Sequence, residues 1–111
     1  MKASVRESGK VRIVDLKGKI TLGTGDLALR ESVNGLLDEG HSRIVLNLKG
    51  VDYIDSAGIG ELVACKKRAV AKGGDVKLLM PSEGVYKVLS IVSLHLIFQI
   101  LSDETQAVTS F

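Results

Sequence analysis

Apolar positions along the chain change period several times, and each change marks a new element. Val5 and then Val11-Arg12-Ile13-Val14-Asp15-Leu16, broken by Ser8-Gly9-Lys10, predict a hairpin with Val11, Ile13 and Leu16 facing inward. Three glycines between 18 and 26 predict a loop turning into a helix capped by Thr24 or Asp26. Leu29, Val33, Leu36 and Leu37 recur at i, i+4, i+7 and i+8, so a helix is expected over 26–39, ended by Gly40. The run 44–48, Ile-Val-Leu-Asn-Leu, reads as a buried strand. A second helix is expected from Ser56 or Ala57 to about Lys72, where Gly73-Gly74 stops it.

On that second helix Ile59, Leu62, Val63 and Val70 predict the inward stripe. Lys66 interrupts it, and its stem is expected to lie buried with the amine at the edge. Gly58, Glu61, Cys65 and Arg68 follow at helical spacing on another face, expected to be outward and small enough to admit a partner. Residues 76–80 then read as a strand closed by Pro81, and Ser82 opens a short helix carrying Val85, Val88, Leu89 and Val92. A last strand over 94–101 and a final helix from about Asp103, returning Ala107, Val108 and Phe111 to the core, complete the pattern. Strands alternating with helices after an opening hairpin predict an α/β fold with parallel strands joined by crossover helices.

Composition narrows this picture. One domain spanning 1–111 is expected, because 111 residues supply one core and not two. A net charge of +2 with scattered cations gives no footprint for nucleic acid; Lys66-Lys67-Arg68 reads as a solvated helix face. The single cysteine, Cys65, forms no internal disulfide and suits a reducing compartment, and with two distant histidines it makes no four-ligand zinc site. The start of the chain has no signal-peptide core, and the most apolar stretch, 91–101, is interrupted by Ser93, His95 and Gln99 and too short to span a membrane. A cytoplasmic protein without membrane insertion is expected.

Candidate chemistry concentrates between the buried strand and the second helix. Asp55 and Ser56 stand where a helix needs a short oxygen-bearing side chain to accept from its unpaired N–H groups. The same end of a helix accommodates a phosphate. As a nucleophile Ser56 would need a base and an orienting third group, but His41 and His95 are not placed beside it by the sequence. Ile54 occupies the first glycine position of a Gly-x-Ser-x-Gly elbow, and Gly23-x-Gly25 lacks the ending of a nucleotide-binding loop. No enzymatic activity, cofactor or metal is expected.

Asp55-Ser56-Ala57-Gly58-Ile59-Gly60, preceded by Ile44-Val45-Leu46-Asn47-Leu48 and followed by Leu62, resembles the phosphorylation-site segment of bacterial anti-sigma factor antagonists, small single-domain members of the STAS family. The predicted element order is also that of the STAS fold, so the resemblance spans nearly the whole chain. It implies a mixed, mostly parallel sheet of four to five strands against about four helices. It implies further that Ser56 is a phosphoacceptor supported by Asp55, Ala57 and Gly58, with Thr21, Gly58, Glu61, Cys65 and Arg68 on the partner surface.

The partners so implied are an anti-sigma factor that is also a serine kinase with a GHKL-type ATP-binding fold, and a PP2C-type metal-dependent phosphatase. The antagonist would be ligand and substrate, with ATP and metal held by those partners. Family members often carry Gly-Glu-Leu-Asp after the second strand. Here Gly18-Lys19-Ile20-Thr21 stands there, so Lys19 and Thr21 replace acids and the loop charge changes near the implied kinase contact. The alternative from another class is a constitutive STAS scaffold, an accessory subunit of a lipid-transport or signalling assembly that is never phosphorylated. The sequence leaves monomer and weak dimer both open.

Overall fold

A computed structural model covering Met1–Phe111 shows five strands and four α-helices. β1 (Lys2–Ser8) and β2 (Val11–Ile20) form the antiparallel hairpin, followed by α1 (Gly25–Asp38) and β3 (Arg43–Ile54). α2 (Ser56–Ala71), β4 (Asp75–Leu79), α3 (Glu83–Ile91), β5 (Ile100–Leu101) and α4 (Glu104–Thr109) complete the chain. The sheet order is β1-β2-β3-β4-β5, with β2, β3, β4 and β5 parallel. Parallel neighbours need crossovers, and α1, α2 and α3 supply them. No helix is long and apolar enough to cross a membrane.

The principal core lies on the face covered by these helices, where Val14, Leu16, Ile44, Leu46, Leu48, Val76 and Leu78 meet Leu29, Val33, Leu62 and Leu89. Complete burial of one such side chain contributes about 1.5–3 kcal/mol. A smaller core on the opposite face gathers Val11, Ile13, Val45 and Leu79 under Ala107 of α4. The expectation of one inward face on the hairpin is therefore corrected: Val11 and Ile13 point to one side of β2, Val14 and Leu16 to the other, and all four are buried. On the second face Arg6 donates to Asp15 at 2.6 Å and to Glu104 at 2.7 Å, and Asn47 donates to Asp15 at 2.8 Å. β1, β2, β3 and α4 are tied together there.

Two further element boundaries differ from the periodicity. β3 continues past Leu48 to Ile54, because Gly50, Val51, Tyr53 and Ile54 pair with the end of β2 across two register shifts. The expected loop after residue 18 is thus partly strand. The last strand shrinks to Ile100–Leu101, and Leu94–Leu96 form a 3₁₀ turn entered through Ser93 in left-handed conformation. Leu94 and Phe98, four apart, are the buried residues of this stretch, whereas Leu96 and Ile97 are exposed. The extension of β3 to Ile54 places ordered backbone at the end of the sheet that positions the site below.

Candidate functional site

The site begins with one glycine. At Gly58 a Cβ would overlap the Ile20 carbonyl oxygen and stand 2.8 Å from Ile54 Cγ1, so only a residue without a side chain lets α2 start hard against the ends of β2 and β3. Asp55 then caps the helix: its carboxylate accepts from the Gly58 N–H at 2.9 Å and, across the gap, from the Leu22 N–H at 3.0 Å. Those backbone hydrogen bonds, Gly58 first and Leu22 second, hold the Asp55 carboxyl below its ordinary range. The Asp55 N–H in turn donates to the Ile20 carbonyl at 3.3 Å. Three elements converge on this one residue.

Because Asp55 is the cap, Ser56 is the first helical residue and stays outside the capping hydrogen bonds. It is exposed. Thr21, the neighbour of Leu22 in the chain, is half-buried, and its carbonyl accepts from the Thr24 and Asp26 N–H groups, which closes the turn into α1. The loop runs straight into the helix: Thr24 occupies the cap position of α1 without a side-chain capping bond, and Asp26 instead accepts from Gly23 and Leu27. Leu22, inside the glycine-rich turn, is 75% exposed next to the Asp55 tether. Its signal was available: an apolar residue inside a glycine-rich turn has no inward stripe to join.

The inner face of α2 is rotated relative to expectation: Leu62 is buried and Ile59 and Val63 pack at the core's margin as predicted, but Val70 turns out and Gly58, Glu61 and Cys65 turn in. Ala69 is buried with them, and Val70 is 52% exposed. Gly58, Glu61 and Cys65 therefore do not line an outer surface. Small residues at 58, 65 and 69 bring the helix close to the sheet and to α1, and Leu62 fills the space that remains. Glu61 is admitted because two arginines neutralise it. Arg30 of α1 donates at 2.7 Å and Arg68 at 2.6 Å, which also turns Arg68 inward onto α2 rather than outward to a partner.

Burial raises the Glu61 pKa, and the hydrogen bonds from Arg68 and Arg30 outweigh that, leaving it below the usual value. Burial pushes the neighbouring Cys65 thiol up to about 12, so it is not a thiolate at neutral pH. Lys66 behaves as its position predicts: its stem passes the core and its amine meets Asp75 at 2.6 Å. What α2 shows outward is Ser56, Gly60, Lys67 and Val70, while Ile59 and Val63 are half-buried against the core. His41 lies in the loop before β3, at the opposite end of that strand from Ser56, and His95 is exposed in the 3₁₀ turn.

The STAS domain profile matches residues 2–107. The chain belongs to the STAS domain family. Among relatives of this STAS protein, the anti-sigma F factor antagonist of Paenibacillus polymyxa is 28% identical over 89% of this chain and 85% of its own length. A crystal structure from Thermotoga maritima, named as a candidate anti-sigma factor antagonist, is 26% identical and superposes with a TM-score of 0.89, covering 97% of this chain and 92% of that one.

The Bacillus cell fate determinant SpoIIAA shares the fold in two forms. Unphosphorylated, it gives a TM-score of 0.81 at 20% identity over 96% of this chain and 93% of its own; phosphorylated, 0.75 at 19% over 98% of each. The five-stranded mixed sheet and four helices of this STAS domain match those of the anti-sigma factor antagonists.

Proposed function

We propose that this STAS domain is a phosphorylation-switched anti-sigma factor antagonist that binds an anti-sigma factor through the surface around Ser56 and loses that affinity when Ser56 is phosphorylated. The observation that carries this reading is the exposed position of Ser56 at the first residue of α2, with Asp55 performing the capping in its place. A hydroxyl that is not needed to hold the helix is free to lie in an interface or to be esterified. Gly58 lets α2 start hard against the ends of β2 and β3, which sets where Ser56 stands, with Ala57 between them in the first turn. The loop carrying Thr21 and Leu22 is tethered to Asp55, the residue before Ser56, through the Leu22 N–H.

Phosphorylation adds about −1.5 to −2 charges at neutral pH. The α2 N-terminus offsets part of that. Asp55, ionised and one residue away, does the opposite, and the nearest cation along β2, Lys19, is already set against Asp52 at 3.5 Å. A phosphate pressed into a partner on this surface would be desolvated without compensation. A loss of about 4 kcal/mol weakens binding roughly a thousandfold. The partner implied by the family resemblance is an anti-sigma factor with GHKL-type serine kinase activity, opposed by a PP2C-type phosphatase, with ATP and metal carried by those two proteins.

The decisive experiment incubates the chain with a candidate anti-sigma kinase and ATP, then measures mass and complex formation. Wild type is expected to gain one phosphoryl group and leave the complex, and Ser56→Ala to gain none and stay bound. Phosphate on another residue, or a complex that survives stoichiometric phosphorylation of Ser56, defeats the switch. Protein isolated from its own cells that carries no phosphate under any condition, and binds no such kinase, would point to a constitutive scaffold.

A further inference from the structure

At the end of β3 remote from Ser56, the β1–β2 turn and the α1–β3 loop enclose a cleft of about 320 Å³. Lys10, Arg12, His41, Ser42 and Arg43 line it, with glycines at both turns and no apolar side chain. Arg12 is held in place: its side chain is 14% exposed, and Nη1 donates to the carbonyls of Gly9 at 3.1 Å and Val11 at 3.4 Å. Carbonyls orient a guanidinium without cancelling its charge. Its other terminal nitrogen, Nη2, stands 3.5 Å from His41 Nε2.

Two carboxylates are near, and neither closes the site. Glu7 is 3.8 Å from Arg12 and Glu39 is 3.9 Å from His41, both beyond hydrogen-bonding distance, both about 70% exposed and neither among the lining residues. Lys10 and Arg43 enter none of the chain's ion pairs. Three cations thus border one concave space, and the two exposed carboxylates at its margin offset their mutual repulsion only in part, so an anion entering the cleft is favoured. A planar, pre-oriented guanidinium with spare N–H groups matches the paired oxygens of a phosphoryl group. The volume is at the small end of ligand sites. The one aromatic ring in the lining is His41, whose edge meets Arg12 at 3.5 Å, and no aliphatic side chain stands opposite it to sandwich a nucleobase.

We propose that this cleft is a binding site for a small, hydrophilic phosphate or pyrophosphate compound lacking a nucleobase, separate from the Ser56 surface. Arg12 and Arg43 grip the phosphoryl oxygens, with Lys10 adding charge and the Ser42 hydroxyl a further donor. The site lies twelve residues of β3 away from Ser56, so its occupation leaves the partner surface open.

The test is a titration of the full ¹⁵N-labelled chain with sodium pyrophosphate, followed by amide shifts. Saturable shifts confined to residues of the β1–β2 turn and the α1–β3 loop are expected, weakened at least tenfold in Arg12→Gln and in Arg43→Gln and unchanged in Lys49→Gln. Arg43 is exposed, so its variant keeps the fold and reads out binding alone. Non-saturating shifts, shifts spread over surface lysines elsewhere, or full affinity in a folded Arg43→Gln would overturn the site. ATP binding more than tenfold tighter than pyrophosphate would overturn the base-free ligand class. A glutamate-rich peptide binding as tightly as pyrophosphate would assign the cleft to protein carboxylates instead and defeat the proposal.

Discussion

Within the first turn of α2, Asp55 supplies hydrogen bonds and Gly58 supplies room. Removing either should move the helix start, through different physics. Asp55→Ala deletes the acceptor shared by the Gly58 and Leu22 N–H groups, so it should lower the urea midpoint and speed amide exchange at Leu22 in particular. Equal exchange at Leu22 in variant and wild type would show that the carboxylate does not tether the loop. Gly58→Ala places a methyl against the Ile20 carbonyl and Ile54, a backbone clash that cannot be relieved by a rotamer change. A destabilisation of about 1–3 kcal/mol is expected in denaturant unfolding, and a neutral variant would mean that the helix start shifts freely. Ser56→Ala, by contrast, touches no capping bond and should change stability by less than about 0.5 kcal/mol.

At the scale of elements, the contact between α1 and α2 is organised by one buried carboxylate and the two arginines that reach it. Glu61→Ala leaves Arg68 without its acceptor, and the Arg68 Nε is already buried without a hydrogen-bond partner. A loss of about 1–3 kcal/mol is expected, less than for a fully buried pair because both arginines reach solvent. Glu61→Gln, which keeps the shape and one acceptor oxygen, should recover part of that loss. Equal unfolding free energies for the two variants would show that packing rather than acceptance holds the helices. The same contact explains why helical periodicity misplaced the inner face of α2. Hydropathy counts Glu61 as outward and Val70 as inward, but a charge matched by two cations is cheaper to bury than its type suggests, and Gly58, Cys65 and Ala69 are chosen for size.

For the whole molecule, three carboxylates make stability depend on acid. Hydrogen bonds from Arg6 hold Asp15 low, backbone N–H groups hold Asp55 low, and Arg68 with Arg30 overcomes the burial of Glu61. Each has a folded pKa below its unfolded one, so the unfolded chain takes up protons first as pH falls. The stabilisation they provide is complete above the ordinary values of 3.8 and 4.5 and is lost as pH drops through the lower folded values. Urea midpoints are therefore expected to stay level from neutral pH to about 5 and fall steadily below about 4. A midpoint unchanged between pH 5 and 2.5 would contradict the ion pairs and cap described here.

Local chemistry wrote much of this protein into its sequence. The hairpin turn at Ser8-Gly9-Lys10, the α1 stripe ended by Gly40 at positive φ, the β4 run and the Asp55-Ser56 step into α2 are each decided by neighbours a few residues apart, and periodicity reads such neighbours directly. The order of elements, and with it the parallel sheet, followed from them. What only the tertiary structure decided depends on partners distant in the chain: that β3 runs on to Ile54 because the end of β2 pairs with it, and that 94–101 is mostly turn because only Ile100 and Leu101 reach β4. Arg30 and Arg68 together make Glu61 an inside residue, and Leu22 comes to Asp55 from 33 positions away. A spacing pattern carries the preference of each side chain for water, but the free energy of burying a charge or extending a strand belongs to whichever group the fold brings to meet it.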